Sequence, residues 1–241
     1  SLFSQYIVCD SKAIKSLFSA VFKRSKNIEV IEYGTELLDD LEINNDVLTL
    51  TLDKYGLAFK GYHLVVSRLE PENNVKMILD GYLSSDIDTP LVIVGNLLDT
   101  RYVEELVAVA KEDSRIIFLG GVYIGQELTL LRVASISYLH GHSVGGTNPS
   151  LLEAMGSRNL CICHDNVFNR EVVADTGLYF DSVDTLAGIF NSFDANDCND
   201  AYQRLALGSY ERVKDRYNWN LIVCKYDGFF KKIARDHGLK L

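Results

Sequence analysis

The sequence predicts an α/β fold in which a Rossmann-like parallel sheet carries helices on both faces. Short, nearly continuous apolar segments recur along the chain, as expected for strands that are buried on both sides. Amphipathic segments with a helical period separate them, and this alternation is typical of a parallel sheet. The predicted strands are residues 62–67, 91–95, 115–119, 136–140, 160–164 and 178–180. The predicted helices between them are about residues 73–85, 101–113, 126–134, 150–157, 169–174 and 183–192.

A smaller β-α-β unit is predicted to precede this sheet. Residues 5–9 and 27–33 are apolar strand candidates. The helix between them is expected to begin after Asp10 or Ser11, because either side chain can accept a hydrogen bond from a helix N-terminal amide. This helix is expected to end near Lys23.

Two segments lie outside these regular patterns. Residues 35–60 are acidic and weakly patterned, which indicates a linker or flap with one strand near residues 47–52. The chain ends with two polar-rich helical patterns, at about residues 197–216 and 219–236.

Composition limits the classes of function. The net charge of −9 argues against a nucleic-acid binder, because neutralising phosphates requires a clustered basic surface. No apolar run approaches the roughly 18 residues of a membrane span, and no signal peptide is visible. Cys161 and Cys163 alternate within one apolar strand, which indicates buried free thiols in a reducing cytoplasm. The chain lacks an initiator Met, so it is expected to be part of a longer protein.

The most informative motif follows the fourth strand of the main sheet. The loop contains His140, His142, Gly145 and Gly146, and the next helix is predicted to begin at Pro149. Glycines allow close approach to backbone amides, and a helix start adds unpaired N–H groups and the positive end of the helix dipole. Strand, glycine loop and helix start together predict a phosphate-binding site.

Further polar residues are predicted to lie on the same edge of the sheet. Glu153 lies one turn into the helix, where its carboxylate can accept hydrogen bonds from a ribose beside the phosphates. Arg68 stands where another strand ends, so its guanidinium can pair with a phosphate. Asn73 and Asn74 open the next helix and either cap it or donate to a ligand. Together these residues predict a receptor for a nucleoside diphosphate.

In their order along the chain, these motifs resemble a known family. They are Ser-Arg-Leu-Glu-Pro-Glu-Asn-Asn, Phe-Leu-Gly-Gly and Pro-Ser-Leu-Leu-Glu-Ala-Met-Gly. They resemble the donor-binding C-terminal domain of a retaining GT-B glycosyltransferase of family 4. The stretch from His140 to Met155 is similar to bacterial rhamnosyltransferases of polysaccharide assembly. The resemblance implies that residues 1–40 are the end of the acceptor domain and its hinge, and that residues 41–241 are the nucleotide-sugar-binding domain with C-terminal helices.

The resemblance also implies roles for individual residues. Arg68 matches the arginine that holds the donor diphosphate, and Asn73 stands where most members have a lysine, so both are expected in the catalytic machinery. Glu153 matches the second of two glutamates and is expected to bind the ribose, whereas Gly145 replaces the first. Val122 matches the loop against which the base rests. Contacts with the donor are implied for Gly121, Val122, His140, His142, Gly145, Gly146, Thr147, Asn148, Ser150, Leu151 and Glu153.

The activity implied is transfer of a sugar, expected to be rhamnose, from a dTDP-linked donor. The expected acceptor is a surface polysaccharide or a lipid-linked glycan at the cytoplasmic membrane face. The sugar nucleotide is the substrate, and neither a cofactor nor a metal is expected. Because the acceptor would be held mostly by a missing N-terminal domain, the chain is expected to bind the donor without useful transfer. Negative charge grows on the departing diphosphate, so donors to that charge are the main catalytic contribution expected here.

Other interpretations compete with this one. His140 and His142 form a His-x-His pair, but they need not converge and no third metal ligand has an obvious spacing. A dehydrogenase is disfavoured because the Gly-x-Gly-x-x-Gly motif is absent after an early strand. A non-catalytic sugar-nucleotide-binding module and a GT-B epimerase stay open. Tyr226, Phe229 and Phe230 are interpreted as a packed helix face, and peripheral membrane contact by the neighbouring basic residues stays open.

Overall fold

The computed structural model describes residues 4–40, 42–193 and 200–238, and it has the predicted α/β architecture. The strands are β1 Ile7–Cys9, β2 Ile28–Val30, β3 His63–Val66, β4 Leu91–Val94, β5 Ile116–Gly120, β6 Ser137–His140, β7 Leu160–His164 and β8 Leu178–Phe180. The helices are α1 Lys12–Phe22, α2 Asn45–Tyr55, α3 Val75–Leu83, α4 Arg101–Lys111, α5 Gly125–Ala134, α6 Pro149–Gly156, α7 Val167–Val173, α8 Val183–Asn191, α9 Asp200–Arg216 and α10 Trp219–Asp236. The predicted start of α9 near residue 197 lies outside the described residues.

The main sheet has six strands in the order β5-β4-β3-β6-β7-β8, and every neighbouring pair is parallel. Its strands are buried on both faces, which explains their continuous apolar character. Successive residues of β3 serve two different cores: Leu64 packs into one cluster and Val65 into the other. The parallel sheet with helices on both faces, predicted from the sequence, is therefore confirmed.

Strand β3 determines where a ligand can bind. It pairs with β4 on one side and with β6 on the other, so the direction in which successive strands are added reverses at this point. The helices that follow β3 and β6, α3 and α6, pack against different cores on opposite faces of the sheet. This arrangement opens a crevice at the carboxyl ends of the strands, where parallel sheets bind ligands.

The N-terminal β-α-β unit forms a separate two-stranded parallel sheet. Ser11 is the N-cap of α1 and accepts a hydrogen bond from the amide of Ile14 at 3.1 Å, as one of the two predicted caps. A long-range contact completes this helix start: the Glu171 carboxylate on α7 accepts hydrogen bonds from the amides of Lys12 and Ala13, at 2.7 and 2.8 Å. The unit is thus fastened to the main domain through unpaired helix amides.

The strand predicted near residues 47–52 is wrong, because this segment forms α2. The Asn44 side chain caps the helix by accepting hydrogen bonds from the amides of Asp46 and Val47. Gly56 ends the helix in a left-handed conformation with φ of 65°. The alternating Thr-Leu-Thr-Leu sequence resembles a strand period. However, Leu48 and Leu52 share the helix face that packs against the core, while Leu50 is 68% exposed.

The two cysteines of β7, Cys161 and Cys163, are buried free thiols, as predicted. Cys198 lies outside the described residues. Within the described parts of the chain, no helix is both long and apolar enough to cross a membrane.

Helix α10 packs back onto the N-terminal unit. Phe229 is buried in a small cluster with Ile31 and Ile222, and its ring meets the edge of Tyr6. Its neighbour Phe230 is 58% exposed. The interpretation of this aromatic run as a packing face is confirmed for Phe229.

Replacing Phe229 with alanine is expected to lower the free energy of unfolding by about 3 kcal/mol, because the variant loses buried ring contacts and leaves a cavity. Chemical denaturation monitored by circular dichroism measures the change. Phe230→Ala is the matched control and is expected to change stability by less than about 0.5 kcal/mol. Equal losses in the two variants would contradict this description of α10.

Candidate functional site

The loops that follow β3 and β6 are joined by hydrogen bonds. The Asn74 amide nitrogen donates to the carbonyl of Gly141 at 2.7 Å and to the Ser143 hydroxyl at 2.6 Å. The backbone amide of Ser143 donates to the carbonyl of Glu72 at 2.9 Å. A Cβ on Gly141 would overlap the carbonyl of Asn73, so glycine permits the close approach of the two loops.

Of the two alternatives left open for Asn73 and Asn74, capping of α3 by a side chain is not observed for either residue. Asn74 occupies the N-cap position in a left-handed conformation, but its amide is directed to the neighbouring loop. The Asn73 side chain is buried, and its amide donates to the carbonyl of Arg68 at 2.8 Å. This hydrogen bond holds the Arg68 loop, and the phosphate contact expected of Asn73 stays a prediction.

Arg68 is the exposed cation at this edge of the crevice. Its side chain is 76% exposed, and its guanidinium lies 3.2 Å from the carboxylate of Glu70. An ion pair between exposed groups contributes little free energy, so this guanidinium can exchange Glu70 for an anionic ligand at small cost.

His140 and His142 converge, which the sequence left open. Their rings stack with centroids 4.2 Å apart and planes inclined by 6°. Burial, with a smaller effect from His142, lowers the pKa of His140 well below its usual value. Burial followed by the charge of Arg68 lowers the pKa of His142 to about 4. Both imidazoles are therefore neutral at pH 7. Among the described residues, no group of three potential ligands forms a candidate metal site.

The glycine loop touches the N-terminal unit. Gly145 has φ of 157°, a conformation that other residues rarely adopt. A Cβ on Gly146 would overlap the carboxylate of Asp10. The Thr147 hydroxyl donates to the carbonyl of Asp10 at 2.6 Å and accepts from the amide of Tyr33 at 3.1 Å. The loop is therefore held by backbone groups of a distant segment.

The start of α6 follows the sequence prediction closely. Pro149 is the first helical residue, and the Asn148 side chain caps the helix by accepting from the amide of Ser150 at 3.0 Å. The Ser150 hydroxyl lies 2.7 Å from the phenol of Tyr138, so it is already engaged in a buried network. The Leu151 side chain is fully buried and its amide donates to the carbonyl of Asn148, and its contact with the donor stays a prediction.

Glu153 is oriented by a buried arginine that the sequence analysis missed. Arg132 on α5 is 3% exposed and lies 2.5 Å from the Glu153 carboxylate, which is 46% exposed. A buried charge requires a partner, so the pair holds the carboxylate at the surface of the crevice. The signal in the sequence is an arginine between Leu131 and Ala134 on the apolar face of a helix.

Glu153 faces a cleft of about 640 Å³. Its lining includes Pro149, Gly125 and Gln126 on one side and the connection 33–36 with Trp219 on the other. The predicted base-binding residues precede α5 but do not line the cleft: Val122 packs against the core, and a Cβ on Gly121 would overlap the Asn96 side chain.

Comparisons with known proteins agree with this geometry. Residues 59–206 match the family model of glycosyl transferases group 1. The chain belongs to this family. O-antigen chain mannosyltransferase B of Escherichia coli is 27% identical in an alignment that covers 68% of this chain and 46% of that protein. The uncharacterised glycosyltransferase MJ1069 of Methanocaldococcus jannaschii is 24% identical in an alignment that covers 96% of this chain and 59% of that protein. The chain thus spans about half the length of these curated relatives.

Solved structures identify the fold as that of GT-B glycosyltransferases. Anabaena Alr3699/HepE in complex with UDP and glucose superposes with a TM-score of 0.84 at 18% identity, over 95% of this chain and 64% of that chain. A glycosyltransferase from Rickettsia africae superposes with a TM-score of 0.82 at 18% identity, over 95% of this chain and 63% of that chain.

Replacing Arg68 with alanine is expected to raise the pKa of His142 from about 4, because the nearby cation disfavours protonation of the imidazole. NMR titration of the imidazole resonances measures the change. Arg235→Ala, which removes an exposed arginine on α10, is the control and leaves this pKa unchanged. An unchanged titration in Arg68→Ala would contradict the placement of the guanidinium beside His142.

Proposed function

We propose that this chain is the donor-binding half of a glycosyltransferase and that it binds a nucleoside diphosphate sugar. One observation carries the proposal: an exposed arginine, a glycine loop and a helix start meet where the strand order reverses, beside a cleft bordered by a fixed carboxylate. Each of these features serves a different part of such a ligand.

The diphosphate is assigned to Arg68 and the start of α6. Charge-assisted hydrogen bonds from a guanidinium suit phosphate oxygens, and helix N-terminal amides favour the same negative charge. Asn73 contributes indirectly by fixing the Arg68 carbonyl. The neutral imidazoles of His140 and His142 lie beside this position and add no competing positive or negative charge at pH 7.

The nucleoside is assigned to the cleft beside Glu153. Its carboxylate accepts hydrogen bonds from the ribose hydroxyls, and Arg132 keeps it in place. The base extends from the cleft toward the loop of Gly121 and Val122, which lies beyond the cleft and leads into α5. The sugar lies beside Gly145, Gly146 and the following residues.

These assignments define what the chain contributes to the reaction. When the bond between the anomeric carbon and the diphosphate breaks, negative charge develops on the leaving oxygen. Arg68 and the amides of α6 stabilise that charge, and this lowers the barrier. We further propose retention of anomeric configuration, as in glycosyltransferases of family 4.

The sugar and the acceptor form the finer part of the proposal. The sequence motif favours rhamnose from a dTDP-linked donor, transferred to a polysaccharide or lipid-linked glycan at the cytoplasmic membrane face. The relatives bear on the class of donor: one is named as a mannosyltransferase, and the Anabaena protein is described in complex with UDP and with UDP-glucose. The remainder of the protein would hold the acceptor.

Calorimetric titration with dTDP, UDP, GDP and ADP is expected to reveal binding of one nucleoside diphosphate. Arg68→Ala should weaken it roughly tenfold or more, because hydrogen bonds to charged groups contribute about 1.5–3 kcal/mol. Glu153→Gln should weaken it by a smaller factor, because the amide still accepts one hydrogen bond.

Arg235→Ala and Glu211→Gln are the matched controls, since both replace exposed side chains on the C-terminal helices. Thermal unfolding of every variant is measured alongside, because Glu153→Gln leaves Arg132 without its charge partner. Binding that survives both site variants unchanged would refute the assignment.

Sugar transfer is expected from the full-length protein and not from this 241-residue chain alone. Transfer from dTDP-rhamnose, UDP-glucose and GDP-mannose to lipid-linked acceptors is followed by mass spectrometry. Full-length protein that binds a donor without transfer would indicate a binding module, and isomerisation of the donor sugar would indicate an epimerase. Efficient transfer by this chain alone would contradict the proposal that this chain binds the donor while the remainder of the protein holds the acceptor.

A further inference from the structure

We infer that Asp10, at the end of β1, binds hydroxyl groups of the donor sugar and so helps to select it. The inference rests on the proposed function, because it places the sugar beside the loop of Gly145 and Gly146. It adds a residue from the N-terminal unit to a site otherwise built by the main domain.

The contact between Asp10 and the loop is unusually close. A Cβ added to Gly146 would overlap both carboxylate oxygens and the Cγ of Asp10. Glycine at this position therefore lets the carboxylate lie directly against the backbone of the loop. Any larger residue would force the carboxylate away.

The backbone on both sides of this contact is fixed. The carbonyl of Asp10 accepts the hydrogen bond from Thr147, and the hydroxyl of Thr147 in turn accepts from the amide of Tyr33. Ser11 is buried and caps α1, whose first amides are also bound by Glu171. The Asp10 side chain thus projects from a segment that is anchored before and after it, as a specific binding group requires.

The folded chain disfavours the ionised form of Asp10 when no ligand is bound. Burial, together with the nearby charge of Glu171, raises the pKa of Asp10. Throughout the described parts of the chain, no lysine or arginine forms an ion pair with it. Charged groups that lack a compensating partner are characteristic of binding sites more than of stabilising contacts.

The side chains of the glycine loop offer few acceptors for the hydroxyl groups of a sugar, and the Asp10 carboxylate can supply one. Gly145 and Gly146 have no side chains, while the Thr147 hydroxyl and the side-chain oxygen of Asn148 are engaged in hydrogen bonds within the protein. A sugar beside the loop brings several hydroxyl donors. A carboxylate accepts such hydrogen bonds more strongly than a neutral group does, and Asp10 presents one at this point.

The experiment compares each nucleoside diphosphate with its sugar nucleotide. Calorimetry with UDP and UDP-glucose, dTDP and dTDP-rhamnose, and GDP and GDP-mannose gives three affinity ratios for the 241-residue chain. In Asp10→Ala, the affinity for the sugar nucleotide of the pair that binds is expected to fall roughly tenfold, while the affinity for the nucleoside diphosphate stays unchanged.

Two further variants test the same contact. Gly146→Ala displaces the carboxylate without removing it and is expected to reproduce the effect. Asp10→Asn keeps the shape of the side chain and is expected to lose an intermediate part of the affinity for the sugar nucleotide. This variant tests the inference if Asp10→Ala does not fold. Asp46→Asn, an exposed acidic residue in the first turn of α2, is the control and leaves both affinities unchanged.

The outcomes separate this inference from the proposed function. The inference alone would be overturned if Asp10→Asn and Asp10→Ala left the ratio of the affinities for the sugar nucleotide and its nucleoside diphosphate unchanged. An equal loss of affinity for both ligands of a pair leaves that ratio unchanged and would overturn the inference too. Wild-type protein that binds none of the six ligands would overturn the proposed function and the inference with it.

Discussion

The pairing of β3 with β6 is the constraint on which the whole site depends. Because these strands are adjacent and parallel, the segments that leave them end at the same edge, although about 70 residues separate them in the chain. Asn74 then joins the two loops through the carbonyl of Gly141 and the hydroxyl of Ser143. The exposed guanidinium of Arg68 and the imidazole of His142 become neighbours as a consequence of this pairing.

Burial determines the charge state of the groups around the crevice. The stacked histidines are kept neutral by burial, and the Arg68 cation adds to this effect at His142. Arg132 is buried but remains paired with Glu153. The crevice therefore combines an exposed cation with neutral imidazoles and an oriented carboxylate. This distribution suits a ligand with an anionic part and a neutral polyol part.

The N-terminal unit is an integral part of the site, although its sheet is separate. Glu171 on α7 binds the first amides of α1, and Thr147 binds the carbonyl of Asp10. These contacts hold a segment near residue 10 against the loop near residue 146. Burial of Phe229 on α10 secures the other side of the unit. Movement of this unit relative to the main domain would therefore change the shape of the proposed sugar site.

The sequence by itself determined the regular elements and the local helix starts. Strands β3 to β8 were predictable because burial within a helix-covered sheet favours runs of apolar residues, and Pro149 and Ser11 act through backbone groups within a few residues. The helix α2 was missed because its apolar face is visible only in the folded chain: Leu48 and Leu52 pack against the core, while Leu50 is exposed. The tertiary structure alone decided the contacts of Asn73, Asn74 and Asp10, as well as the orientation of Glu153 by Arg132. Their partners are backbone and charged groups brought close by sheet pairing and helix packing, and no local spacing in the chain encodes those distances.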